Sequence, residues 1–216
     1  MKIHHLAAQP SILNKYLAEI RDVDVQKDSM RFRRNIERIG EFMANEVSKT
    51  LRYKPVDVHT PLGIKKIWLP DDHIVIASVL RAGLPLHYGL LNIFDHAENA
   101  FISAYRKHTG ENEFEIKVEY LAMPPLDGKV LLLADPMLAT GRSLASVYRI
   151  LTENHQPLRT HIISVIAAPE GIEYLQSVMP EETELWIADI DERLDDKSYI
   201  IPGLGDAGDL AFGQKI

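Results

Sequence analysis

Residues 129–144 read KVLLLADPMLATGRSL, and this stretch narrows the available folds more than any other. A short apolar run, Val130 to Ala134, ends in an acid, Asp135. Runs this short and this uniformly apolar suit strands buried on both faces. A loop of small residues follows, Ala139-Thr140-Gly141-Arg142-Ser143, and then Leu144, Val147, Ile150 and Leu151 recur at helical spacing. A buried strand that delivers a hydroxyl-bearing turn into a helix N-terminus makes a ready anion site. The first helical N–H groups have no intrahelical partner, and that end of the helix dipole is partly positive. Gly141 lets the backbone approach a ligand closely or take a positive φ. Thr140 and Ser143 offer hydroxyl donors, and Asp135 is placed to hold ribose hydroxyls or a magnesium ion. The plainer alternative is an ordinary strand–turn–helix with Ser143 as its N-cap.

The rest of the chain alternates in the same way. Phe32, Ile36, Ile39, Met43 and Val47 predict a helix over about Asp28 to Thr50, capped by Asp28 or Ser29. Strands are expected at His73–Leu80, Ala100–Tyr105, Val130–Ala134, His161–Ala167 and Leu185–Ile190, with a helix over Pro85–Phe94. Phe114, Ile116, Val118 and Tyr120 alternate, which predicts a half-exposed strand. Strands and helices in this rhythm predict an α/β fold, a doubly wound and mostly parallel sheet with flanking helices, as one domain over 1–216. Ligands in such sheets sit at the carboxyl ends of the strands, where the candidate residues fall.

Composition limits the function classes. The chain carries 24 Lys and Arg against 31 Asp and Glu, a formal net charge of −7, which disfavours a general nucleic-acid or anionic-membrane surface. It has no cysteine, so disulfides, thiolate nucleophiles and Cys-based zinc sites are out, and a reducing, cytoplasmic setting fits. No apolar run is long enough for a membrane-spanning helix, and the N-terminus lacks the pattern of a signal peptide. His4-His5 is expected to belong to a flexible terminus. Arg31, Arg33, Arg34 and Arg38 lie on the predicted N-terminal helix. They read as a solvated face paired with acids such as Glu37 and Glu41, the rival being an effector-phosphate or subunit contact.

Gly203-Leu204-Gly205-Asp206-Ala207-Gly208 matches the bare dinucleotide-binding pattern G-x-G-x-x-G, but only eight residues follow it. The pattern needs a following βαβ unit with an acid about 20 residues on, so it fails here. What the glycines do offer is exposed backbone able to read the donor–acceptor edge of a planar base. Arg81 and Arg106 each follow a strand-like run, where an arginine either holds phosphate oxygens or makes a surface ion pair. Lys107 to Glu113 is polar and contains Gly110, the composition of a hairpin that is either a mobile lid or plain surface.

Four segments together resemble the uracil phosphoribosyltransferase family. DPMLATG is similar to its phosphoribosyl-diphosphate (PRPP) loop, and YIIPGLGDAGDLAFGQK, from Tyr199 to Lys215, to its uracil-binding end. SVLRAGLPL (Ser78 to Leu86) and AYRKHTGENE (Ala104 to Glu113) match in order, so the resemblance covers nearly the whole chain. It implies a phosphoribosyltransferase-like fold with a flexible hairpin over the site and a C-terminal base-binding loop. It implies transfer of phosphoribosyl from PRPP to uracil, giving UMP and diphosphate.

By the same resemblance, PRPP is bound by Arg81, Arg106, Asp135, Pro136, Met137, Leu138, Ala139, Thr140, Gly141, Arg142, Ser143 and Asp206. Uracil is bound by Ile200, Gly205, Asp206 and Ala207, and Asp135, Arg106 and Asp206 are the catalytic candidates. Mg²⁺ is the expected cofactor, carried mainly by PRPP, because Pro136 stands where many relatives of other base specificity have a second acid. Arg142 departs from the glycine common in the family, and it either adds a contact to the 5′-phosphate or points to solvent. The resemblance further implies a homo-oligomer, dimer or tetramer, with the N-terminal helix as a candidate interface and GTP as a candidate effector. Two rivals remain: a pyrimidine-responsive RNA-binding regulator of the same fold, and a catalytically silent nucleotide-binding paralogue.

Overall fold

The computed structural model of the chain describes residues 1–108 and 114–215, with side chains described at all of these except 104–108 and 114–118. Thr109 to Glu113, most of the expected lid, therefore lie outside the described residues.

The frame is an eight-stranded sheet. In chain order its strands are β1 (Lys2–His5), β4 (Ile74–Leu80), β5 (Glu98–His108), β6 (Phe114–Ala122), β7 (Val130–Ala134), β8 (Met137–Leu138), β9 (Arg159–Ala167) and β10 (Glu184–Ile190), numbered around a separate hairpin of β2 (Tyr53–Thr60) and β3 (Gly63–Pro70). The spatial order is β1-β10-β9-β7-β4-β5-β6, with β8 beside β9. Every pairing is parallel except β5 with β6.

Parallel strands covered on both faces should be apolar throughout, and β7 is buried at all five positions. Successive side chains point to opposite faces. Val130, Leu132 and Ala134 join a core with α1 (Leu13–Arg21), α2 (Ser29–Ser48) and α3 (Leu84–Ile93). Leu131 and Leu133 join the opposite core with α4 (Arg142–Thr152) and α5 (Pro169–Val178). Each such Leu or Ile contributes about 1.5–3 kcal/mol by leaving water. Removing Leu132 to alanine would cost about 2–5 kcal/mol, because the packed layers on both sides close over a cavity only in part.

Helix α2 follows its sequence closely. Asp28 caps it, its carboxylate accepting from the amides of Met30 at 3.0 Å and Arg31 at 3.1 Å. Phe32, Ile36, Ile39, Met43 and Val47 are all buried, and this face packs inside the protomer against α1 and α3. The arginines on its other faces are engaged as well. Arg34 pairs with Glu37 at 2.6 Å and Arg31 with Glu19 at 3.4 Å. Arg33 donates to the Ala211 carbonyl at 2.6 Å, and Arg38 to Asn35 Oδ1 at 3.0 Å.

Two features depart from the sequence reading. His4-His5 is not a loose end: it lies in β1, which pairs in parallel with β10 at the sheet edge. The His4 ring stacks on Trp186 with centroids 3.6 Å apart, and its Nε2 meets Glu184 at 2.6 Å. The β2–β3 hairpin, over residues given no element above, stands apart from the main sheet with most of its side chains exposed.

Candidate active site

Strand β7 ends at Asp135, and the chain then stays bound to the sheet. The Asp135 amide donates to Ile163 O at 3.1 Å, and its carbonyl accepts from Ser164 Oγ at 2.7 Å. Its carboxylate turns back to accept from the Met137 amide at 3.2 Å. The Pro136 carbonyl accepts from the amides of both Val165 and Ile166. Met137 and Leu138 then pair with β9 as strand β8. The phosphate-loop candidate is thus anchored before it turns.

The turn itself requires glycine. Gly141 has φ +73°, and a Cβ there would lie 2.8 Å from the carbonyl of Gly171 in α5. The N-cap of α4 is Gly141, which has no side chain to cap with, and Thr140 Oγ1 accepts from the Arg142 amide at 3.4 Å. Ser143, the candidate cap, is the second residue of the helix, so the plainer strand–turn–helix reading loses its capping residue. Gly141, Ser143 and Leu144 line a cavity of about 350 Å³, together with Asp135, Met137, Leu138, Ala139 and Thr140.

The facing wall comes from the C-terminal end of the chain. After β10 the chain forms a small antiparallel ladder, β11 (Arg193–Leu194) with β12 (Ile200–Ile201), and ends in α6 (Ala207–Phe212). The turn of this ladder brings Lys197, Ser198 and Tyr199 to the cavity, and the loop into α6 brings Gly205, Asp206, Ala207 and Gly208. The Asp195 carboxylate accepts from the amides of Lys197 at 2.9 Å and Tyr199 at 2.8 Å, which fixes the turn. Asp206 caps α6, accepting from the Asp209 amide at 2.9 Å.

Most of the candidates meet in this one cavity, although they come from two segments some 60 residues apart: Asp135, Met137 to Gly141, Ser143, Gly205, Asp206 and Ala207. Others do not reach its wall. Pro136 is buried, with its carbonyl committed to β9. Ile200 is 4% exposed and packs in the core behind the loop. The Arg142 guanidinium lies over the Tyr174 ring, 5.1 Å from its centroid, so it points to solvent along α5 rather than to the cavity. Arg81 sits just past β4, beside the cavity residue Ala82, and gives Nη2 to Asp209 at 3.0 Å and to the Gly213 carbonyl at 3.1 Å. The Arg106 side chain lies outside the described residues. Lys197 and Ser198 escaped the sequence reading; the turn-forming Asp-Asp-Lys-Ser run ahead of Tyr199 was the signal that could have found them.

Beneath the β4–α3 turn lies a constellation that imitates a hydrolase relay. Ser78 Oγ meets His87 Nδ1 at 2.8 Å, and His87 Nε2 meets Asn99 Oδ1 at 2.8 Å. The Asn99 oxygen can only accept, so Nε2 carries the proton and Nδ1 accepts from the hydroxyl. Burial pushes the His87 pKa down, which keeps the ring neutral. Ser78 is fully buried and out of reach of any substrate, so the trio ties β4, α3 and β5 together under the turn.

A doubly wound parallel sheet here carries a hydroxyl-bearing loop at a helix N-terminus with a glycine-rich wall facing it, an arrangement suited to an anionic ligand. A hypoxanthine phosphoribosyltransferase from Staphylococcus aureus superposes with a TM-score of 0.51 over 91% of this chain and 93% of its own, at 15% identity, a likeness of fold alone. The uracil phosphoribosyltransferase family model matches residues 7–214, and the chain belongs to that family. A uracil phosphoribosyltransferase of Porphyromonas gingivalis is 50% identical over 216 residues, the full length of both chains. A solved Aquifex aeolicus protein superposes with a TM-score of 0.86 at 31% identity, covering 98% of each chain.

Proposed function

We propose that this chain transfers the phosphoribosyl group of PRPP to uracil at the cavity between residues 135–144 and 197–208, releasing UMP and diphosphate. The observation that carries the reading is the meeting of those two segments around one space of about 350 Å³. Gly141 to Leu144 receive the 5′-phosphate on the first turn of α4. Asp135 holds the ribose hydroxyls. The backbone of Gly205 to Ala207 reads the O2, N3 and O4 edge of uracil, with Ile200 setting that loop from behind. The bond from C1′ to diphosphate breaks, the leaving group keeps its electron pair, and uracil N1 bonds to C1′. Catalysis is then mainly positioning and electrostatics.

Arg81 and Arg106 take the diphosphate. Arg81 is suited to this because only Nη2 is engaged among the described residues, leaving further donors of its planar fork to the ligand. Asp135 and Asp206 are the carboxylates on the wall, and hard oxygen donors of this kind fit Mg²⁺. The ion is brought mainly by PRPP, because Mg²⁺ keeps substrate phosphates and waters among its ligands. When bound, Mg²⁺ supplies positive charge to the diphosphate oxygens.

The reading includes a homo-oligomer joined through the β2–β3 hairpin rather than α2. Leu62, Ile64 and Trp68 are 100%, 65% and 64% exposed there, an apolar display that suits contact with a second copy. It includes a cytoplasmic setting, consistent with the absence of cysteine. It keeps GTP as a candidate effector.

Incubation with PRPP, Mg²⁺ and radiolabelled uracil should yield labelled UMP, and cytosine should react at least about fivefold less well. The 4-amino group reverses the donor–acceptor sense of that edge and leaves a buried polar group unpaired, at about 1–3 kcal/mol. Equal turnover of cytosine would overturn the uracil assignment. No product with either base, together with retention of labelled RNA in moderate salt, would favour the regulator instead.

A further inference from the structure

Two residues far from the cavity hold the backbone that forms its base-side wall. Arg21 ends α1 and is 19% exposed. Its Nη1 lies 2.9 Å from Asp191 Oδ1 and donates to the Gly203 carbonyl at 3.0 Å, and its Nη2 donates to Asp189 Oδ2 at 2.9 Å. Both acids are anchored to the carboxyl edge of the sheet. Asp189 pairs with Ile166 of β9, and the Asp191 amide donates to Ala167 O at 2.8 Å. The Asp191 side chain is only 5% exposed and meets the Arg21 guanidinium there. Five residues along, Gln26 makes a second contact. With its amide oriented so that the nitrogen donates, it reaches Leu204 O at 2.8 Å and Ile20 O at 3.3 Å.

The two carbonyls gripped in this way, Gly203 and Leu204, directly precede the wall formed by Gly205 to Gly208. Gly203 has φ +63°, and a Cβ there would lie 2.1 Å from Ile200 O, so the chain turns sharply at the gripped residue. Leu204 and Ala207 seat the loop in the core, while the glycines between and beside them leave the backbone orientation to be fixed by its carbonyl partners. We propose that Arg21 and Gln26 are positioning residues for base recognition: they clamp consecutive carbonyls and set the backbone that reads the base. This rests on the uracil reading above. Neither residue lines the cavity, so both act through the loop.

The test compares Gln26→Ala, Arg21→Lys and Leu17→Ala, the last a core change in the same helix that leaves the clamp in place. Gln26→Ala should raise the KM for uracil about threefold to tenfold, the scale of one lost hydrogen bond, with kcat and the KM for PRPP within about twofold of the parent. Arg21→Lys should raise it about tenfold or more, because one ammonium cannot replace a fork that serves two carboxylates and a carbonyl. Leu17→Ala should lower the melting temperature and leave the KM for uracil unchanged. Hydrogen exchange gives a readout independent of activity: amides of 203–208 should exchange faster in both clamp variants, and those of 135–144 should not. If Arg21→Lys fails to fold, Gln26→Ala decides. Unchanged exchange at 203–208 overturns the clamp. So does a KM for uracil that stays at the parental value, or one that rises in step with that for PRPP. A parent that makes no UMP would instead overturn the function, and exchange would still decide the clamp.

Discussion

The cavity wall of residues 135–144 is an extension of the main sheet, whereas the wall of residues 197–208 lies off that sheet, on a small ladder of its own and a set of separate anchors. On the first side, Pro136 O takes two amides of β9, Met137 and Leu138 pair as a strand, and Gly141 lies against α5. On the second, the fixtures are the β11–β12 ladder, the Asp195 turn, the Asp206 cap, the grip of Arg21 on Gly203 and the burial of Ile200, Leu204 and Ala207 in the core. A wall fused to the sheet suits a ligand whose charge must be met by dipoles that do not reorganise. A wall hung on a few separate anchors can be tuned at those anchors, one at a time.

The largest expected effect tests whether the first wall works by charge or by shape. Asp135→Asn keeps an oxygen to accept from the Met137 amide, so the turn should persist while the negative charge is lost. We expect kcat/KM to fall about 10²-fold or more with an unchanged circular dichroism spectrum. Near-parental kinetics would take Asp135 out of the site.

The next effect probes the sheet that carries both walls. His161 on β9 is 1% exposed, and its Nδ1 accepts from Trp186 Nε1 at 3.1 Å. Its Nε2 therefore carries the proton and finds no partner among the described residues. Burial is the main cause that pushes its pKa down to about 4, from an ordinary 6.5. The unfolded chain then binds the extra proton first as pH falls. The stabilisation is fully present above pH 6.5 and is lost as pH drops toward about 4, on the order of 3 kcal/mol in total. Urea melts at pH 7.5, 5.5 and 4.5 should show this loss, and His161→Gln should flatten it. A parent and variant with the same pH profile would remove His161 as the cause.

A smaller effect asks how tightly the first wall is built. Gly141→Ala meets both a positive φ and the Gly171 carbonyl at 2.8 Å. It should cost about 1–3 kcal/mol of stability and raise the KM for PRPP more than that for uracil. An equal rise in both would mean that the two walls move as one body.

The smallest effect concerns Arg142. Because its guanidinium rests on Tyr174, Arg142→Gly should change PRPP affinity by less than about twofold at low and high salt alike, losing only an exposed cation–π contact. Isothermal titration would show otherwise if the loss exceeded tenfold and shrank with salt.

Much of the first wall was legible in the chain because its information is local. The β7 run, the acid at its end, the loop and the helix periodicity are contiguous, and a strand buried on both faces has to be apolar throughout. The same holds for the Asp28 cap and the buried stripe of α2. The second wall was legible only through a rare phrase, since no periodicity marks a loop whose chemistry is its backbone. Its turn at Lys197 and Ser198 went unread for the same reason.

What the sequence determined by itself is therefore the succession of strands and helices and the identity of the two segments, because neighbours in the chain set propensity, capping and periodicity. Tertiary structure alone decided that His4 would stack on Trp186 and that Arg142 would rest on Tyr174 instead of turning inward. It alone decided that Arg21 would close on a carbonyl 182 residues away. Each of these depends on which surfaces meet once the sheet has formed. An arginine carries the same fork of donors wherever it stands in the chain, and only the fold chooses the oxygens it reaches.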